Sequence, residues 1–202
     1  ISIVHTMASF PPGIVPQSRV ELETPQDATV LLALARLHWK KGLDILLRAL
    51  VELPDCVAWI AGDGPLKEEL HVLAEQLGVM SRVRFLGWRN DRERLLKAAD
   101  ICVFPSRYEP FGTVTVDAWA MRVPLIAADA VGPAAYVRDG QNGLLIPKDD
   151  VAALAAAVKK MQSDQALRER VVAGGYDDYQ KTFSKEAFLR DSLNVYTRLV
   201  RK

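Results

Sequence analysis

Cysteine is scarce in this chain, with two among 202 residues, Cys56 and Cys102. Each lies inside an apolar run, Cys56–Ile60 and Ile101–Phe104, so the pair reads as core residues of buried strands and not as a disulfide framework or a zinc site. That usage fits a reducing, cytoplasmic compartment. Long hydrophobic runs are also missing. The longest, Val30–Ala35 and Val151–Val158, fall far short of the roughly twenty residues that cross a membrane. Neither charge sign prevails: 26 Lys and Arg face 25 Asp and Glu, for a formal net charge of +1. This balance removes the sequence-wide electrostatic case for nucleic acid or for an acidic membrane surface. The first fifteen residues hold no Lys or Arg, so the charged start of a secretory signal is absent. Opening at Ile1, the chain reads as processed or as a piece of something longer.

What is present is ordinary globular material. Half of the residues are hydrophobic and a quarter charged, enough for one domain with a real core. Residues Ile1–Gln26 carry four prolines and no sustained period and read as a linker or extended lead-in. From Ala28 an alternation sets in. Apolar runs of strand length fall at Thr29–Ala35, Cys56–Ala61, Arg82–Leu86, Ile101–Pro105, Pro124–Ala128 and Gly143–Pro147. Helical periods separate them at Lys41–Leu53, Pro65–Gly78, Asp91–Ala99 and Thr113–Arg122, with a helical turn near Pro133–Val137. Helices alone follow, at Val151–Gln162, Asp164–Lys181 and Ser184–Val200. Strands that are almost wholly apolar and separated by helices are parallel and covered on both faces. The expected fold is therefore α/β: a doubly wound, mainly parallel, Rossmann-like sheet of six strands with a helical C-terminal tail.

In such sheets ligands bind beyond the carboxyl ends of the strands. The loops there carry Arg36 and Lys40-Lys41 after the first strand, Gly62-Asp63-Gly64-Pro65 after the second, and Trp88-Arg89 after the third. Ser106 to Thr113 follow the fourth. Two cations and a glycine-containing loop that opens a helix at Thr113 suit an anionic, phosphorylated ligand. Gly62–Pro65 is half of a dinucleotide fingerprint without its third glycine or its acidic strand end, so a tight turn explains it.

The strings Ala35-Arg-Leu-His-Trp-Lys-Lys-Gly-Leu-Asp44, Ile60-Ala-Gly-Asp-Gly-Pro65, Arg82-Val-Arg-Phe-Leu-Gly87, Ala99-Asp-Ile-Cys-Val-Phe-Pro-Ser106, Glu109-Pro-Phe-Gly112 and Asn142-Gly-Leu-Leu-Ile-Pro147 carry a family likeness. Together, and in this order, they resemble the donor-binding half of retaining glycosyltransferases of the GT-B fold, family four. The resemblance covers about Ala28 to Gln162. It implies a nucleotide-diphosphate sugar as donor substrate, with Arg36 and Lys41 on its diphosphate. Glu109 would bind donor-sugar hydroxyls and act with those two cations in catalysis. The Phe111-Gly112-Thr113 backbone would lie against sugar and phosphates, and Asp117 would face the nucleotide ribose. Trp88 and Arg89 are candidates for the nucleobase edge, with plain packing an equal reading for Trp88. No Asp-x-Asp triplet occurs in the chain, so no metal is expected and Arg36, Lys41 and the helix start at Thr113 would do that work.

Four positions depart from the family pattern: Ala35 and Arg122 in place of glycine, and Asp117 and Ala135 in place of glutamate. A catalytically idle module of the same fold and another nucleotide-sugar enzyme, such as a non-hydrolysing epimerase, remain as rivals. The resemblance further implies a lead-in over residues 1–27, a donor domain over 28–182 and a final helix over 183–202. It implies as well an acceptor-binding N-terminal domain beyond this chain. The helix would pack on it through Phe188, Leu189, Leu193, Tyr196, Leu199 and Val200, and any membrane contact would run through the full-length protein.

Overall fold

A computed structural model describes residues 7–200, with side chains as far as Arg198. Six strands are seen: β1 (Thr29–Leu34), β2 (Cys56–Ala61), β3 (Val83–Gly87), β4 (Ile101–Phe104), β5 (Leu125–Ala128) and β6 (Leu144–Ile146). Among them lie α1 (Leu43–Ala49), α2 (Lys67–Gln76), α3 (Arg92–Ala98), α4 (Thr113–Ala120) and the short α5 (Val131–Ala134). After β6 come α6 (Val151–Ser163), α7 (Gln165–Asp178) and α8 (Lys185–Val200). The strand order is β3-β2-β1-β4-β5-β6, and every pairing is parallel. The expected doubly wound fold is the one observed.

Alternation along the central strands explains why both faces are covered. Leu31, Ala33, Ala58, Ile60, Ile101 and Val103 point into one core, where Leu46 and Leu47 of α1 and Leu154 and Val158 of α6 meet them. Val30, Leu32, Val57, Trp59, Cys102 and Phe104 point into the other, against Leu95 and Leu96 of α3 and Val116 and Trp119 of α4. Burying a leucine side chain of this kind contributes about 2 kcal/mol. Both thiols are free and buried. Burial pushes the Cys56 thiol up to about 11 and that of Cys102 up to about 12, so each stays protonated and packs as a small apolar group.

Three local readings differ from expectation. The period over Lys41–Leu53 predicts one helix, but Gly42 interrupts it with a left-handed φ of 62°. A 3-10 turn, Trp39–Lys41, precedes it and α1 starts at Leu43. Pro65 does not open α2. It sits in a turn closed by the Leu37 carbonyl, which accepts from the Leu66 N–H at 3.1 Å, and the helix begins at Lys67. The helix expected over Asp164–Lys181 ends at Asp178 in a π-helical turn, Tyr179–Phe183, that buries Phe183 against Trp119 and Tyr136.

The described part of the lead-in, from Met7 onward, has no helix or strand, yet it is tied down. Trp59 donates its indole N–H to Thr24 Oγ1 at 2.9 Å, so a fully buried polar group is satisfied by that segment. Arg19 reaches the Ala28 and Ala98 carbonyls and Asp100. The Ala8 N–H donates to the Phe183 carbonyl. Residues 1–6 lie outside the described part of the chain.

Candidate functional site

The sheet reverses its winding between β1 and β4, and in a doubly wound sheet the crevice opens at that point. The loops after β1 and β4 are pressed together there. A Cβ on Gly42 would sit 2.0 Å from the Pro105 carbonyl oxygen, so position 42 requires glycine for its backbone angle and for this close approach. The Lys40 carbonyl accepts from the Arg107 N–H at 2.8 Å. The Arg107 side chain then clasps the junction. It makes a two-pronged contact with Asp44, both arms 2.7 Å, and further contacts to the Trp39 carbonyl and Asp149. Burial would raise the Asp44 carboxyl, but the hydrogen bonds and charge of Arg107 outweigh it and hold that carboxyl below its usual range.

Above this junction lies a cleft of about 390 Å³ lined by Leu34, Ala35, Arg36, Lys41, Ala61, Gly62, Trp88, Arg89, Arg92, Phe104, Glu109, Thr113 and Val114. Six expected site residues, Arg36, Lys41, Trp88, Arg89, Glu109 and Thr113, are therefore brought together. Four cations and one carboxylate line the cleft; Lys41, Arg89 and Arg92 are each paired with a carboxylate, Glu109, Asp91 and Asp117, which leaves Arg36 as the lining cation without one among the described residues. Lys41 Nζ donates to Glu109 Oε2 at 2.5 Å and lies 5.8 Å from the centre of the Phe104 ring. Arg36 is exposed to the cleft, with no side-chain hydrogen bond or ion pair among the described residues. At the other rim Trp88 is 75 % exposed. Arg89 is largely engaged, through Nε and Nη2, with Asp91 and Gln17. Its hydrogen bonds hold the Asp91 carboxyl below the usual range.

Helix α4 begins at the cleft. Its first-turn residues Thr113 and Val114 line it, and Gly112 caps the helix with φ 88°. A Cβ on Gly112 would meet Phe104 at 2.9 Å and the Glu109 side chain at 3.3 Å. The loop Glu109–Gly112 is also held from behind. The Glu109 carbonyl accepts from the Gly132 N–H, and the Tyr136 hydroxyl donates to the Phe111 carbonyl. Phe111 turns its ring to Tyr136 and Phe183, into a neighbouring hollow that also holds Ala135. Phe111 and Gly112 thus shape the loop from outside the cleft lining.

Asp117 is also off the lining. It is 7 % exposed, and its Oδ2 accepts from Arg92 Nε at 3.0 Å. Burial raises its carboxyl and the Arg92 charge only partly counters this. Arg92 and Arg107 are the two residues that the sequence reading passes over. Arg92 opens α3, three residues beyond Arg89 and on the same rim, and that placement is the signal available in the sequence. Arg107 stands in the quoted loop after the fourth strand but has no visible partner until Asp44 and Asp149 are folded onto it. Arg122 lies away from the cleft, in a hollow at the amino ends of β1, β4 and β5. Its φ of 57° closes α4 by left-handed backbone, and its guanidinium stacks 3.6 Å from the centre of the Tyr176 ring. Among the described residues no three His, Cys, Asp or Glu gather as a metal-holding group, and no helix is long and apolar enough to cross a membrane.

A six-stranded parallel doubly wound sheet with a cationic cleft at its switch point, floored by a glycine-capped helix start, defines a Rossmann-like domain built to receive an anionic ligand. The family model described as glycosyl transferases group 1 matches residues 15–178. The chain belongs to that family, as a glycosyltransferase domain of the GT-B fold. It is 37 % identical over 174 residues to the lipopolysaccharide core biosynthesis glycosyltransferase LpsE of Rhizobium meliloti, covering 86 % of this chain and 51 % of LpsE. To LpsD of the same organism it is 37 % identical over 187 residues, covering 93 % of this chain and 54 % of LpsD. The crystal structure of Anabaena HepE in complex with UDP and glucose superposes with a TM-score of 0.85 at 27 % identity, over 96 % of this chain and 53 % of HepE. The chain thus spans about half the length of the relatives it matches.

Proposed function

We propose that this domain binds a nucleoside diphosphate sugar and, completed by a second domain that holds the acceptor, transfers the sugar with retention of configuration. The observation that carries the reading is the convergence of Arg36, Lys41, Glu109 and the start of α4 in one cleft. When the bond between sugar and diphosphate breaks, negative charge grows on the departing phosphate oxygens. Fixed cations and a helix N-terminus aimed there stabilise that state more than the intact donor. Lys41 turns from Glu109 to the diphosphate as the donor enters, and the freed carboxylate accepts hydrogen bonds from sugar hydroxyls. Trp88 offers its exposed face to the base. The likeness to HepE, whose structure holds UDP and glucose, supports a donor of this class, and this chain's own residues do the work without a metal.

The relatives LpsE and LpsD support an acceptor among cell-envelope saccharides. The span of about half a relative, together with Leu189, Leu193 and Tyr196 standing 48 %, 64 % and 67 % exposed on α8, supports an acceptor domain packed against that helix. Leu199 and Val200, assigned to the same face, have side chains outside the described residues. We place the protein in the cytoplasm, with any membrane contact made by the rest of the full-length chain; the two free thiols support this. Of the departures that would suit an idle module, Arg122 lies at the opposite end of the sheet from the cleft.

The test is affinity for a nucleoside diphosphate against the matching monophosphate. Lys41→Ala is expected to weaken the diphosphate about tenfold or more and the monophosphate much less, since only the former presents its terminal charge to Lys41. Equal losses on both ligands would remove Lys41 from the diphosphate.

A further inference from the structure

A second hollow lies outside the donor cleft, on the flank of the domain. Helices α1 and α2 share one core through Leu46, Leu47, Leu70 and Ala74. Their outer residues line a groove of about 450 Å³, within the roughly 300–1,000 Å³ of small-ligand sites. Asp44 and Arg48 enter it from α1, Glu69 and Gln76 from α2, and Trp39 and Arg107 from the loops after β1 and β4. Trp39 is 54 % exposed, yet its turn is fixed. Its carbonyl accepts from Arg107 Nη1 at 2.8 Å, and His38 Nδ1 caps the turn by accepting from the Lys40 N–H at 3.2 Å. A large aromatic side chain is thus held at the groove by contacts that leave its ring free.

The polar groups of the groove say what it takes. Arg107 and Asp44 are engaged with each other. Arg48, Glu69, Gln76 and the Trp39 indole N–H have no side-chain hydrogen bond or ion pair among the described residues. Two cations, Arg48 and Arg107, are matched by two carboxylates, Asp44 and Glu69. An anion would meet the carboxylates and a cation the guanidinium groups, so a neutral ligand suits the lining best. The open groups include donors in Arg48 and the indole, an acceptor in Glu69, and both in Gln76. A hydroxyl also donates and accepts. A sugar ring joins a rim of hydroxyls to an apolar C–H face, and an exposed indole is a fitting platform for that face. We propose that this groove is a second ligand site, for a neutral oligosaccharide, with Trp39 as its platform and Arg48, Glu69 and Gln76 on the hydroxyls. None of these four residues lines the donor cleft, so the proposal stands apart from the donor-site reading. Trp39 and Lys41 belong to one 3-10 turn, and a saccharide on Trp39 is anchored beside the cleft that Lys41 lines.

Maltotetraose, cellotetraose and chitotetraose are the probes. Each is titrated into the isotope-labelled chain while the indole N–H signals of its four tryptophans are followed by NMR, the Trp39 signal being assigned by its loss in Trp39→Phe. At least one probe is expected to move the Trp39 signal to saturation, with a Kd of about 1 mM or below, while the signals of the buried Trp59 and Trp119 stay in place. Calorimetry on variants then reads the contacts. Trp39→Ala should weaken the bound probe about tenfold, and Trp39→Phe should recover part of that loss. Glu69→Ala and Gln76→Ala should each weaken it about fivefold, the share of one hydrogen bond. Both are exposed positions on α2, so they carry the test even if Trp39→Ala does not fold. No response of Trp39 to any of the three probes would overturn the proposal. Binding that Trp39→Ala retains in full, or a response of Trp88 alone, would overturn it too and put the saccharide elsewhere. Uridine or adenosine moving the Trp39 signal more strongly than the tetrasaccharides would overturn it in favour of a base.

Discussion

Asp117 shows how a single side chain is held at a cost. Burial raises its carboxyl above the usual value near 3.9 despite the Arg92 charge. The folded state therefore binds this proton more tightly than the unfolded one, and the contribution to stability is lost as pH rises through the raised value. At neutral pH the ionised Asp117 is a net burden that the fold carries. Asp117→Asn is expected to melt at a higher temperature than wild type at pH 7, with the gap closing as pH falls toward about 4. A lower melting temperature at pH 7 would show that the ion pair stabilises more than burial costs. In the sequence this position was legible as a carboxylate one helical turn past Thr113. That its charge would be turned to Arg92 was not, because Arg92 lies 25 residues away and only tertiary packing joins them.

At the scale of elements, the site is an assembly of loops whose register the strands dictate. Continuous apolar runs made the strands readable, and β2 falls on the predicted residues Cys56–Ala61. Helix starts were less legible where backbone geometry overrides periodicity. The apolar period runs through Lys41–Leu53, but Gly42 must turn left-handed to lie against Pro105, and this places Lys41 ahead of α1 and within the cleft. The Arg107 clasp then sets how closely the β1 and β4 loops approach. It does not line the cleft, so its influence on a ligand runs through Lys41 and Glu109. Arg107→Ala is expected to cost about 2 kcal/mol of stability through its lost charge-assisted contacts. Nucleoside diphosphate affinity should weaken by roughly tenfold as the two loops part. Unfolding and titration of the same sample check both, and unchanged affinity would show that the loops hold their spacing without the clasp.

At the scale of the molecule, the described residues form a doubly wound sheet with a core on each face. The succession of strands and helices foretold that architecture, and the positions of Arg36, Lys41 and Glu109 at the rim were legible because each follows a strand that the sequence marks plainly. Less legible was the role of residues 7–28. Their prolines and irregular pattern suggest a lead-in, but Thr24 completes a hydrogen bond of the buried Trp59 and Gln17 one of the cleft residue Arg89. Such contacts have no periodic signature. We propose that this domain holds the donor site in its own residues. Calorimetric titration with UDP, GDP and ADP, repeated on an Arg36→Ala, Lys41→Ala double variant, tests it most directly. One diphosphate is expected to bind in preference to the others, and the double variant to lose it. Absence of binding to all three, or binding that the double variant retains in full, would contradict it.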